Sequence, residues 1–93
     1  MIIYFKCKET QKVFDKKFSK KFSQNIAEIA KRKLDMLNAA YKEQDLIVPP
    51  SNRFEKLKGD LKGYYSIRIN DQYRIVFKFI NGNAEDVYIT DYH

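Results

Sequence analysis

Between Gly63 and His93 the chain reads as three runs rich in β-branched and aromatic residues, broken by two short polar punctuations. The runs are Tyr64–Ile69, Tyr73–Ile80 and Glu85–His93, and the breaks are Asn70-Asp71-Gln72 and Asn81-Gly82-Asn83. This pattern predicts a three-stranded meander. Asn81-Gly82 suits its second turn, because both residues tolerate the positive φ that a type I′ hairpin demands.

Alternation along a strand assigns faces. Tyr65, Ile67 and Ile69 share one face of the first run; Tyr73, Ile75, Phe77 and Phe79 share one face of the second. Val87 and Ile89 continue that apolar face, with Tyr88, Thr90 and Tyr92 opposite. Arg68, Arg74 and Lys78 then emerge together on the far side, as a surface suited to phosphate. A solvated sheet face carries Arg and Lys in any case, so parity alone leaves both readings open.

Upstream, Ile2–Phe5 reads as a short edge strand. Thr10 is placed to cap a helix through Gln11–Phe18, with Val13, Phe14 and Phe18 on its apolar side. Ser23 caps a second, longer helix from Gln24 to Tyr41, in which Ile26, Ala30, Leu34, Leu37 and Tyr41 recur at helical spacing. Pro49-Pro50 predicts that the connector from Asp45 is extended, without helix. The segment Asn52–Gly63 is the most basic loop, carrying Arg53, Lys56, Lys58 and Lys62, and it runs straight into the meander. The expectation is one α+β domain over residues 1–93, with two N-terminal helices on one face of the sheet.

A chain of 93 residues is long enough for one core without staples. Its single cysteine, Cys7, fits a reducing cytoplasm. No apolar run reaches membrane-spanning length, and no signal peptide is recognisable. The net charge of +6 favours a polyanionic partner such as nucleic acid or an acidic protein.

The chemistry-bearing residues gather at the meander. Asp91-Tyr92-His93 joins a carboxylate, a phenol and the chain's one imidazole, and histidine is the side chain best suited to proton transfer near neutrality. Arginines nearby suit charge developing on a phosphate. One Cys and one His are too few for a zinc-ligand set, and there is no phosphate-binding glycine loop. Hydrolysis would then be metal-free, which favours RNA, whose own 2′-OH supplies the nucleophile.

The run Pro49–Asp60, the run Tyr65–Ile75 and the terminal Asp91-Tyr92-His93 together resemble the HigB toxins of type II toxin–antitoxin systems, in the RelE/ParE superfamily. The segment Ala30–Leu37 also fits that layout, so the resemblance covers nearly the whole chain. It implies two helices on one side of a curved, mainly antiparallel sheet, and a cytoplasmic, ribosome-dependent endoribonuclease that cuts mRNA in the A site. By position, Asp91 and His93 would do acid–base work and Tyr92 would assist or stack. Arg68 and Arg74 would hold the scissile phosphate. Arg53, Lys56, Lys58, Lys62 and Lys78 would contact RNA or the ribosome. No cofactor is implied. The implied partner is a HigA-like helix-turn-helix antitoxin, which would carry the complex to operator DNA.

One position departs from the pattern. Some HigB proteins have a second active-site histidine where this chain has Glu55, a carboxylate that would need a cation, such as Arg53 or Lys56, to sit beside a phosphate. Two other functions fit the same resemblance: a ParE-like DNA gyrase poison, and a non-catalytic basic module that acts only within an antitoxin–DNA complex.

Overall fold

The structure is a computed structural model that describes residues 1–91; the predicted site residues Tyr92 and His93 lie outside the described residues. Three helices come first: α1 (Lys8–Phe14), α2 (Gln24–Ala39) and the short α3 (Gln44–Ile47). Four strands follow: β1 (Glu55–Lys56), β2 (Tyr64–Arg68), β3 (Tyr73–Ile80) and β4 (Asn83–Asp91). They form one antiparallel sheet in sequence order.

The meander forms as its punctuation predicts. Asn81 and Gly82 take φ of 52° and 81° at the β3–β4 turn. A side chain on Gly82 would also press on the Tyr41 carbonyl, 3.1 Å from the ideal Cβ position. At the β2–β3 turn the Asn70 side-chain oxygen accepts from the backbone N–H groups of Gln72 and Tyr73, a local tie that turn asparagines commonly make.

Parity also holds on the core side. Ile67, Ile69, Ile75, Phe77, Val87 and Ile89 form one buried cluster with Val13, Ala30, Leu34 and Leu37 from the helices. Removing this apolar surface from water is the main stabilising term, at roughly 25 cal/mol per Å². α2 begins where Ser23 predicts, its hydroxyl accepting from the Ile26 N–H at 3.3 Å.

Several boundaries differ from expectation. α1 starts at Lys8, so Thr10 lies inside the helix rather than at its cap, fully buried. Its hydroxyl oxygen accepts from the Ile89 N–H at 3.0 Å, tying α1 to β4. The helix ends at Phe14, leaving Phe18 beyond it and exposed. α2 stops at Ala39, so Tyr41 leaves the apolar stripe and is exposed. There the Asp45 carboxylate accepts from the N–H groups of Tyr41 and Lys42.

The connector is not wholly extended. α3 fits before the prolines because proline restricts the residue ahead of it, and only Val48, at φ −108°, must leave the helix. Ile2–Phe5 is no continuous strand: it touches β4 through two isolated parallel bridges, Ile2–Ala84 and Phe5–Val87. Inside the basic loop, Glu55–Lys56 pairs with Ser66 and Tyr65 as the short strand β1. The charged sequence there carries no alternating apolar signal.

Candidate functional site

Cross-strand register builds the site on the sheet face away from the helices. Arg68 of β2 pairs with Arg74 of β3, and Arg74 with Thr90 of β4, making one row across the sheet. The neighbouring row is Glu55, Ser66, Val76 and Tyr88. The next contains Tyr64 and Lys78. Rows on one face are about 7 Å apart, two residues along a strand.

Arg68 and Arg74 therefore meet as predicted, but in unlike states. Arg74 is only 4% exposed, so it does not project into water as a solvated sheet-face cation would. Its Nε donates to the Ser66 hydroxyl at 2.8 Å, and Nη2 donates to the Arg53 carbonyl at 2.5 Å. A buried guanidinium needs such partners, because leaving its donors unmatched costs several times what one exposed hydrogen bond contributes. Arg68 is half-buried and ion-paired with the exposed Asp71. Lys78 lies four residues along β3 from Arg74, with Nζ 3.8 Å from Asp86 rather than beside the arginines.

Two ties fix the loop that supplies Arg53. Arg53 takes φ of 44°, a left-handed conformation that turns its carbonyl to Arg74. Before it, the buried Asn52 side chain donates to the Leu46 carbonyl at 3.0 Å and accepts from Lys33 at 2.5 Å. Burial, and after it the positive charges of Arg32 and Arg68, lowers the pKa of the Lys33 ammonium.

Arg53, Glu55, Arg68, Asn70, Asp71 and Arg74 together line a pocket of about 240 Å³. Glu55 sits with its carboxylate oxygen 3.8 Å from Arg74. The cation that offsets this carboxylate is thus Arg74, not Lys56, which instead approaches Glu43 at 3.8 Å. Three arginines line this space, a residue type suited to binding phosphate, and a carboxylate beside Arg74 can take a proton. Asp91 closes β4 opposite Tyr73, and its carboxylate accepts from the Gln72 side-chain amide at 3.1 Å. Lys58 and Lys62 are exposed on the loop leading to β2. Ser66 and Asn70 escaped the sequence reading; the one clue to Ser66 is a small hydroxyl two residues before Arg68, on the same face of β2.

A larger groove, of about 590 Å³, lies against α1 and α2 and includes Val13, Phe18, Phe22 and Ala27. None of the predicted site residues lines it.

A sequence model of RelE-like toxins of the type II toxin–antitoxin system HigB matches residues 4–93. The chain belongs to the HigB-like toxin family. It is 42% identical over 90 residues to Toxin HigB-1 of Vibrio cholerae serotype O1, covering 96% of this chain and 95% of that one. It is 46% identical over 41 residues to a protein named Endoribonuclease HigB from Proteus vulgaris, a match covering 44% of this chain and 45% of the relative. Among solved structures, YoeB in a YoeB–YefM complex from Staphylococcus aureus superposes with a TM-score of 0.64 at 21% identity, over the whole of this chain and 95% of that one. The α+β architecture of helices on an antiparallel sheet is that of RelE-like toxins, and the chain is a HigB-type toxin of a type II toxin–antitoxin system.

Proposed function

We propose that this toxin is a ribosome-dependent endoribonuclease that cuts mRNA in the A site. The observation that carries the reading is the pocket in which Glu55 stands 3.8 Å from a buried Arg74, with Arg53 and Arg68 lining the same space. The Proteus vulgaris relative's name, Endoribonuclease HigB, points the same way.

In this reading Arg68 and Arg74 bind the scissile phosphate and stabilise the charge that grows on it. A base, Glu55 or the Asp91–His93 pair, removes the proton of the 2′-OH. The 2′ oxygen attacks the adjacent phosphorus, and the bond to the 5′ oxygen breaks. That oxygen leaves with a proton from the acid partner, giving a 2′,3′-cyclic phosphate and a 5′-hydroxyl end. No water and no metal enters the step. Tyr92 assists or stacks, while Lys56, Lys58, Lys62 and Lys78 add attraction to RNA or the ribosome.

An antitoxin partner follows from the family, and a HigA-like helix-turn-helix protein would bring the complex to operator DNA. The toxin itself acts in the cytoplasm, where translating ribosomes are. Expression without the antitoxin, with the ends of cellular mRNA mapped, tests this function. New ends inside coding regions support it, and growth arrest with intact transcripts refutes it.

A further inference from the structure

Beyond the arginine row, the same sheet face changes from guanidinium to phenol. Tyr88 lies in the row of Glu55, Ser66 and Val76, and Tyr64 lies across from Lys78 in the row after it. Lys6 Nζ stands 5.1 Å from the centre of the Tyr88 ring, and Lys78 Nζ stands 5.2 Å from that of Tyr64. Between them Asp86 accepts from the Tyr64 hydroxyl at 2.9 Å and lies 3.8 Å from Lys78 Nζ.

Asp86 reaches this position through a β-bulge. Between the pairings with Lys78 and Val76, β4 has two residues, Asp86 and Val87, where β3 has only Phe77, and Asp86 takes φ of 52°. A non-glycine residue in the left-handed region is unfavourable and is kept only where the surroundings over-determine it. Here the bulge sets the carboxylate against the Tyr64 phenol and fixes that ring on the surface. Neither the catalytic pocket nor the core uses this arrangement.

Flat rings held in place beside lysines on flexible stems are the parts of a single-strand nucleic acid platform, where bases stack and cations meet phosphates. Both rings are half-buried at the surface, and an ammonium over such a ring is held weakly, so a lysine can turn to a phosphate as a base takes its place, Lys78 giving up its 3.8 Å approach to Asp86. The platform continues the face that carries Arg68 and Arg74, with no strand break between them. A strand crossing from the arginines to the Tyr64–Lys78 row travels about 13 Å, enough for more than one nucleotide.

We propose that Tyr64 and Tyr88, with Lys6 and Lys78, form a second RNA subsite that takes unpaired nucleotides flanking the one held in the arginine pocket. Bases stack on the two rings, the lysines neutralise adjoining phosphates, and Asp86 is a positioning residue for Tyr64. The inference rests on the RNA-cleavage reading for the identity of the strand, yet its binding is measurable without cleavage.

The test is fluorescence anisotropy of the full chain with a labelled dodecanucleotide of 2′-O-methyl RNA, which lacks the attacking hydroxyl. Tyr88→Leu and Tyr64→Leu should each weaken binding about 5-fold or more, with an unchanged slope of log affinity against log salt. Tyr88→Phe should bind like the parent. Lys6→Ala and Lys78→Ala should each flatten the salt slope by about one phosphate contact. If a leucine variant fails to fold by circular dichroism, the lysine slopes decide. Undiminished binding by folded leucine variants with unchanged lysine slopes overturns the subsite, as does no binding by the parent. A Phe variant as weak as Leu overturns stacking, and a loss confined to ribosome association overturns assignment to the message strand. Ring-dependent binding by a protein that leaves translated messages intact would sink the cleavage reading and keep the subsite.

Discussion

The backbone carbonyl of Arg53 accepts a hydrogen bond from the Arg74 guanidinium at 2.5 Å. One residue lies on an exposed loop, the other in the middle of the sheet. The bond joins the loop and sheet halves of the candidate site, and it exists because Arg53 adopts a left-handed φ. Catalytic groups on a loop become useful only when such a tie holds them against a scaffold.

Arg74→Ala should therefore affect stability as well as activity. It leaves the Ser66 hydroxyl and the Arg53 carbonyl without this partner, at a cost of roughly 1–3 kcal/mol, and should abolish RNA cleavage. Arg74→Lys keeps the charge but not the fork that reaches both partners, so cleavage should stay low with stability only partly recovered. Urea unfolding beside a cleavage assay separates these effects.

Glu55→Gln should slow cleavage by about 10²-fold or more if the carboxylate takes the proton. Glu55→His should restore activity, with a new limb in the pH–rate profile near about 6.5, the ordinary histidine value. An unchanged rate in Glu55→Gln would move the base to Asp91 or His93.

The Thr10–Ile89 bond is a prediction about fold alone. Thr10→Val keeps the shape but leaves the buried Ile89 N–H without its partner, and should lower unfolding stability by about 1–3 kcal/mol. Thr10→Ser should lose much less. Chemical denaturation of the three proteins checks the order.

Asp86 should govern part of the acid stability. The Tyr64 hydroxyl first, then that of Tyr4, lowers its pKa, opposed by burial and helped by the charges of Lys78 and Lys6. A depressed carboxylate contributes stability above its unfolded pKa, about 3.9, and loses it as pH falls through the lower folded value. The same bond raises the Tyr64 pKa, so that contribution is present below about 10 and lost as pH rises through the folded value. Asp86→Asn should thus be less stable than the parent near neutrality, with the gap closing below about pH 4. Asparagine also tolerates the left-handed backbone. Urea midpoints across pH measure the gap.

What could be read from the residues was local. Asn81-Gly82 announces its turn because few other pairs accept two positive φ values, and Ser23 announces its helix because a hydroxyl meets free N–H groups there. Parity found the core face and brought Arg68 beside Arg74. The features that escaped depend on partners far along the chain. Thr10 looks like a cap until Ile89 is placed against it, and the burial of Arg74 follows from a carbonyl 21 residues away. The bulge at Asp86 has only a faint signature, an aspartate where strands seldom place one, and nothing in the sequence ties it to Tyr64. The pairing of Glu55 with Arg74 needed β1, whose two charged residues carry no strand pattern.

The most direct test of the central claim is a reconstituted translation reaction with the purified toxin, in which the 5′ ends of the message are mapped with and without ribosomes. Breaks should appear within the coding region at the A site only when ribosomes are translating, should leave 2′,3′-cyclic phosphate ends, and should vanish with Arg74→Ala. An intact message in a reaction whose protein synthesis has stopped would contradict the account.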